Sequence, residues 1–317
     1  MKGIEISEKY FIEFGKPMLQ EEFPDVYNKL ACGIIGSGSE CLGFDDEISR
    51  DHDFEPGFCI FLPDEDIIDR KTEFRLERAY AKLPKEFEGI KRGLLSPVGG
   101  ARRGVIRIAD FFAGKVGAPD GRLTLSEWLN IPEQALLEAT NGKLFFDNYG
   151  LLTKIREGLS YFPDDIRLKK LAGHLLMMGQ SGQYNYKRCL DHSEQAAAQM
   201  AVFKFANHAI SAIFLLNRVY RPYYKWCFKA LRSLPKLSIE AEIMEYLITT
   251  DNTPQFAEEK YRAIEGIAAD IIDELSAQNL TEAICGDLEK HAYSVNDRIT
   301  DGEIRNLHVL AAMQEEL

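Results

Sequence analysis

Apolar residues recur at helical spacing over residues 7–30, through Tyr10, Phe11, Phe14, Met18, Phe23, Val26 and Leu30, with Pro17 and Pro24 interrupting. This predicts one broken helix or two short ones. The spacing then gives way to a continuous apolar run at 31–35, which predicts a short buried strand, and a second strand is expected from His52 to Leu62. Pro63-Asp64 offers a turn and a cap before Ile67, Ile68, Phe74, Leu76 and Tyr80, so a helix over 67–83 is expected to cross to the next strand. Val105, Ile106 and Ile108 mark a third strand, and residues 144–146 mark a fourth. From about residue 151 alternation stops, and helical patterns cover 164–178, 183–220, 222–234, 239–249, 254–278 and 281–316. The expected fold is α+β: a small mixed sheet flanked by helices in residues 1–150, then an all-α helical bundle in residues 151–317. Ile264, Ile267, Ala268, Ile271, Ile272 and Leu275 share one apolar stripe, read as bundle core or an oligomer contact.

Composition supports two domains, because 317 residues with 45% apolar and 28% charged side chains suffice for two packed cores. Net charge narrows the partners. At −12 the chain opposes any long polyanion held through its phosphate backbone, so no long nucleic acid is expected, whereas a small nucleotide carried with magnesium remains compatible. Six scattered cysteines form no CxxC pair, and six histidines show no HxxxH spacing; neither a zinc site nor a disulfide framework is indicated. The N-terminus lacks a basic leader before an apolar core, and no run of about 18 apolar residues follows. The expected location is cytoplasmic, with no membrane partner.

The candidate chemistry begins where the first strand ends. Gly36-Ser37-Gly38-Ser39 is a turn in which the glycines let backbone approach a ligand, while Ser37 or Ser39 can cap a short helix and donate to phosphate oxygens. After thirteen intervening residues Ser37 is followed by Asp51 and Asp53, which on a strand point to the same face and present two hard oxygen ligands for magnesium. Asp45, Asp46 and Glu47 lie between these halves, as a solvated loop or an added contact.

Gly36-Ser37 followed at this spacing by Asp51-x-Asp53, with apolar strand residues around both, resembles the signature of the polymerase-beta-like nucleotidyltransferase superfamily. The resemblance implies that Gly36 and Ser37 bind the triphosphate and that Asp51 and Asp53 hold magnesium, with two ions expected. It also implies a third acid on a later strand, as metal ligand or general base. Asp110, at the end of a segment with Arg107 at its centre, is the first candidate, and Asp147 is the second. Later segments look like a bacterial two-domain branch of that superfamily in which a helical domain follows the catalytic one. They include Asn141 to Asp147, Tyr161-Phe162-Pro163, Gln183-Tyr184-Asn185 with Arg188, and the stretch from Leu216 to Trp226. The similarity covers residues from about 30 to 235.

In such proteins the site is a cleft walled by the helical domain. Asn185 and Arg188, three apart on one helix face, are the candidates for that wall. Lys225 is either a phosphate contact or a surface lysine packed on Trp226. Tyr220, Tyr223, Tyr224 and Trp226 are read as core packing or as a stacking surface, and His192 as a surface residue or a cleft residue. The expected activity is magnesium-dependent transfer of a nucleoside monophosphate, AMP from ATP or another nucleoside triphosphate, onto a hydroxyl of a small-molecule acceptor, releasing pyrophosphate. The alternatives are a protein acceptor, as in antitoxin-like enzymes, and a nucleotide-binding sensor without turnover.

Overall fold

The computed structural model of the chain describes residues 2–48, 55–92 and 103–313. The N-terminal helix is not broken at Pro17. Helix α1 (Gly3–Tyr10), a π turn (Phe11–Gly15) and α2 (Lys16–Glu22) form one helical path, with Pro17 in the first turn of α2. A proline ring collides with the carbonyl four residues back in a regular helix, and the wider π spacing just before it removes that conflict. A short α3 (Pro24–Tyr27) starts at the second proline.

Strand β1 (Ala31–Ile34) follows, then α4 (Ser39–Leu42), β2 (Cys59–Leu62), α5 (Arg70–Lys82), a hairpin of β3 (Glu86–Phe87) and β4 (Ile90–Lys91), and β5 (Gly104–Arg107). Ile108, expected in that last strand, instead opens α6 (Ile108–Val116). After it come α7 (Leu125–Asn130), α8 (Glu133–Thr140), β6 (Lys143–Asp147) and α9 (Leu151–Gly158). The main sheet has the order β5-β2-β1-β6, with β1 antiparallel to both neighbours and β2 parallel to β5. It is a mixed sheet, as the sequence pattern predicts. Tyr10, Phe11, Leu19, Phe58, Ile60, Leu62, Leu76 and Tyr80 are buried together against it.

The register fixes which residues share an end of the sheet. Gly33 faces Cys59, Ile34 faces Lys143, and Cys59 faces Gly104. Ala31 faces both Phe61 and Asp147, while Leu62 faces Arg107. The end of β1 that leads to Gly36 is therefore the end where β2, β5 and β6 begin, and these three strands finish at the opposite end.

The rest of the chain is helical: α10 (Asp164–Met178), a π turn (Gly179–Tyr186), α11 (Lys187–Asp191), α12 (Gln195–Leu216), α13 (Tyr224–Leu231), α14 (Glu240–Thr249), α15 (Pro254–Ala277), α16 (Leu288–Asp297), α17 (Gly302–Asn306) and a 3-10 turn (Val309–Ala312). The continuous helix expected over 183–220 is interrupted by Ser193, whose φ of 60° is left-handed and stops α11 before α12 starts. The one expected over 281–316 is divided because Asp287 and Asp301 each cap a fresh helix, accepting from Glu289 N and from Glu303 N and Ile304 N.

Two compact units result. Unit 1 comprises residues 1–123 and 131–160, and unit 2 comprises 124–130 and 161–317. The boundary thus falls ten residues beyond the expected 150/151, with α9 in unit 1, and α7 belongs to unit 2 although it lies between segments of unit 1. Within unit 2, Leu171, Leu175 and Met178 of α10 and Val202, Phe205, Ala209 and Ile213 of α12 are fully buried. Helix α12 alone, among the described residues, is long and apolar enough to cross a membrane, and 61% of its apolar window is buried inside the protein, as in a core helix. Cys32, Cys41, Cys59 and Cys227 are buried.

Candidate functional site

The turn after β1 is built by two glycines that no other residue replaces easily. Gly36 has φ 112° and Gly38 has φ 127°, where an L side chain is strained. A Cβ on Gly36 would meet nothing closer than Phe111 Cε2 at 3.9 Å and Lys115 Cε at 4.0 Å. The conformation, not crowding, demands glycine there, and the space where a Cβ would stand is open beside a lysine.

The turn is held from the side by one amide. Gly36 N donates to Asn141 Oδ1 at 2.9 Å and Asn141 Nδ2 donates to Gly36 O at 2.8 Å, so both backbone groups of Gly36 are committed. The next residue makes this clamp possible. A Cβ on Gly142 would lie 2.0 Å from Ile34 O, so only glycine lets this segment press against the end of β1, and Gly142 N donates to Cys41 O at 3.0 Å. From α9, Arg156 Nη2 donates to Thr140 O and Asn141 O, both at 2.6 Å, and burial lowers the pKa of its guanidinium. Arg156 thus positions Asn141, which positions the turn.

Charge beneath the turn is paired. Glu40 in α4 accepts from Arg103 Nη2 at 3.0 Å, and both side chains are buried. Burial pulls the Arg103 pKa down, but the Glu40 carboxylate together with Cys59 and Cys41 outweighs it, and the net shift is upward. Beside Gly36, Lys115 of α6 pairs with Glu138 of α8. Ser37 and Ser39 are half-buried, and Ser39 is the first residue of α4 while the N-cap position is Gly38.

Asp51 and Asp53, the expected metal ligands, lie outside the described residues. The two candidates for the third acid are described, and the sheet register separates both from the turn. Asp147 faces Ala31 at the start of β1, and five residues of extended chain, about 16 Å, separate Ala31 from Gly36. Its oxygens accept from Gly150 N and Thr153 N, both at 2.8 Å, so its work is to cap α9. Asp110 sits exposed in the first turn of α6, just past the distal end of β5, where its charge raises the pKa of Arg70 together with Glu65 and Glu73. Arg107 is likewise occupied, bonding Glu73 Oε2 at 2.6 Å and Pro63 O at 2.8 Å. Strand order was invisible in the sequence, and it decides these positions.

The remaining candidates belong to unit 2. Asn185 lies half-buried in the π turn, and Arg188 of α11 is exposed with its guanidinium 5.1 Å over the Tyr184 ring. Lys225 is exposed and lies 5.1 Å over the Trp226 ring, with Lys229 5.4 Å from the same ring. Tyr220 is core, edge-on to Phe162 at 5.0 Å, while Tyr223 and Tyr224 are exposed. His192 is exposed.

Several polar groups escaped sequence reading. Asn141, Arg156 and Lys115 touch or support the turn from far along the chain; only the Asn141-Gly142 pair was a signal, as turn chemistry. His174 of α10 and His208 of α12 bring Nδ1 to Nδ1 at 2.9 Å, which requires one ring to present a bare nitrogen. Burial, then His208, Lys170 and Arg221, hold the His174 pKa well below the usual range. Arg221 donates to Ser211 Oγ at 2.7 Å and Asn207 Oδ1 at 2.6 Å nearby.

Residues 128–227 match a family described as a domain of unknown function (DUF4037). No curated protein and no solved structure matches the chain. The matched stretch takes in Asn141, Gly142, Arg156 and the His174–His208 pair, and it crosses between the units, from residues 128–130 of unit 2 through 131–160 of unit 1 to 161–227 of unit 2. The Gly36 turn lies outside it.

Proposed function

We propose that the chain is a magnesium-dependent nucleotidyltransferase that moves a nucleoside monophosphate, AMP from ATP, onto the hydroxyl of a small molecule. The observation that carries this reading is the Gly36 turn: a two-glycine bend at the end of a central strand, clamped by Asn141 on its backbone and bordered by Lys115. Asn141 occupies the N–H and carbonyl of Gly36 itself, so it is the backbone following it in the bend that suits the oxygens of a polyphosphate, and Lys115, now paired with Glu138, suits their charge. In the transfer, the acceptor oxygen forms a bond to the α-phosphorus and gives up its proton to solvent, the bond from that phosphorus to the bridging oxygen breaks, and pyrophosphate carries the electron pair away.

Among the described residues no three His, Cys, Asp or Glu side chains gather to hold a metal ion. In this reading magnesium is held, as the family resemblance implies, by Asp51 and Asp53, where it would neutralise the phosphate oxygens. Asp110 and Asp147 are not carried forward as the base, because both sit at the distal end of the sheet.

The test is pyrophosphate release from magnesium-ATP with a panel of hydroxyl acceptors. Asp51→Asn with Asp53→Asn should abolish turnover, and Asn141→Ala should lower kcat/KM for ATP about tenfold or more by loosening the turn. Turnover unchanged in the double variant would show the assignment to be wrong. The placement of Asp110 and Asp147 also favours a second reading, a nucleotide sensor without turnover. Calorimetric binding of magnesium-ATP with no pyrophosphate under any acceptor would select it.

A further inference from the structure

A second site lies wholly within unit 2. A cleft of about 470 Å³ is lined by Arg167, Asn217, Arg218, Lys236 and Gln278 together with Leu216, Pro235 and Leu280. Its size is that of a small-molecule pocket. Its charge is unusual. Three cationic side chains line it, and the carboxylates that pair with them are Asp164 and Glu274. One oxygen of Asp164 serves two guanidiniums: it bonds Arg218 Nη2 at 2.7 Å and lies 3.7 Å from Arg167 Nε, beyond hydrogen-bond reach.

Arg167 is the anomaly. It is 3% exposed, its Nε has no hydrogen-bond partner, and its Nη1 reaches Leu215 O only at 3.5 Å. Burial and then the nearby Arg218 lower its pKa, so the two cations repel each other. Arg218 is held at φ 55°, a strained conformation for a long side chain and one that accumulates at binding sites.

A cap on the end of α12 accounts for only part of this. Carbonyls at a helix C-terminus attract cations, but here they are already served: Ile213 O by Asn217 Nδ2 at 2.9 Å, Leu216 O by Gln278 Nε2 at 2.8 Å, and Leu215 O by the Tyr161 hydroxyl at 3.3 Å. Arg218 and Lys236 direct their side chains to carboxylates instead. What remains is an excess cation at an open cleft with a buried guanidinium in its wall.

We propose that this cleft binds a small phosphorylated compound through Arg167, Arg218 and Lys236. A phosphoryl group offers the dianionic, multi-oxygen surface that paired guanidiniums and an ammonium match best. The site is independent of the Gly36 turn and holds whether or not the chain transfers nucleotides.

The test follows the arginine Nε–Hε resonances of the full chain by NMR at constant ionic strength, with the Arg167 signal assigned by its loss in Arg167→Lys. Titration with inorganic phosphate should shift that signal saturably, and malonate should bind more weakly. Arg218→Gln and Lys236→Gln change half-exposed side chains, so the fold should survive, and each should weaken phosphate binding about fivefold or more. Ser37→Ala should leave it unchanged. The proposal is overturned if no saturable shift occurs up to about 30 mM phosphate, if malonate binds as tightly as phosphate, or if binding is lost in Ser37→Ala and kept in Arg218→Gln.

Discussion

The two units bury charge in different ways. Among the described residues of unit 1 the buried charged side chains, Glu40, Asp45 and Arg103, each meet an opposite charge: Glu40 meets Arg103 at 3.0 Å, and Asp45 meets Lys2 at 3.4 Å. In unit 2 buried cations rest mainly on neutral oxygens. Lys169 Nζ donates to Asn296 Oδ1 at 2.8 Å, Leu307 O at 2.6 Å and Arg305 O at 3.3 Å, while Lys260 Nζ donates to Gln199 Oε1 and Thr250 O, both at 2.8 Å. A buried cation beside a carboxylate keeps its ionised form, and the carboxylate raises its pKa. A cation solvated mainly by carbonyls carries a desolvation cost that exceeds what nearby carboxylates, Asp251 for Lys260 and Asp164 for Arg167, give back, and its pKa falls. The shifts follow this division, with Arg103 raised and Lys169, Lys260 and Arg167 lowered. The lesson is that unit 1 is held by charge complementarity beneath its turn, whereas unit 2 uses lysines as donors that tie helices to loops.

Breaking the pair in unit 1 should cost most. Glu40→Gln keeps shape but leaves Arg103 buried without its carboxylate, and a loss of about 3 kcal/mol in urea-unfolding stability is expected. Replacing both, as Glu40→Gln with Arg103→Met, should recover part of that loss. No recovery would mean that the pair is held for the turn's geometry and not for charge.

The counterpart in unit 2 is Lys169→Met, which removes no counter-charge but strips Asn296 Oδ1 and Leu307 O of their donor, while Arg305 O keeps Asn296 Nδ2. A loss of about 2 kcal/mol is expected, together with faster hydrogen exchange in α16 and α17, which those acceptors anchor to α10. An effect larger than that of Glu40→Gln would reverse the ranking of the two units.

Unit 2 should also show two opposite pH slopes. Burial lowers Lys260 to about 8 from an unfolded value near 10.5, so between those values the unfolded chain binds more protons and stability rises with pH. Burial and the neighbouring Asp270 raise Glu240 to about 7 from near 4.5, so the folded chain binds more protons in that window and stability falls as pH rises through it. The two slopes leave unit 2 least stable between about pH 7 and 8, with each group costing on the order of 1–2 kcal/mol there. Lys260→Met should flatten the alkaline limb of a melting-temperature profile, and Glu240→Gln the acid limb. A profile unchanged by either would show that these groups keep water.

The sequence was most legible where one spacing governs an element. The strand expected at 31–35 is β1, the helix expected at 164–178 is α10, and the helical half forms as its pattern predicts. What could not be read depended on strand order and distant contacts. Asp110 and Asp147 stand on segments identified correctly in outline, yet only the pairing of β1 with β6 and of β2 with β5 shows that they end away from the turn. Asn141 lies 105 residues from the glycine it clamps, and no local periodicity carries that contact. Helix breaks at Ser193 and Asp287 were missed because apolar spacing continues across them, while a left-handed backbone and a side-chain cap override it.

The smallest expected effect concerns an exposed cation, which the same comparison places at the far end from Glu40. Lys225 lies 5.1 Å over Trp226, a contact that contributes roughly 0.5–1 kcal/mol when solvent reaches it. Lys229 approaches the same ring at 5.4 Å and can take over part of that contact. Lys225→Met should therefore lower unfolding stability by less than about 1 kcal/mol and leave the KM for ATP unchanged, because a methionine still packs on the indole while the charge is lost. If instead stability holds and the KM rises severalfold, the ammonium is spending its charge on a phosphate, and Lys225 belongs to the nucleotide site.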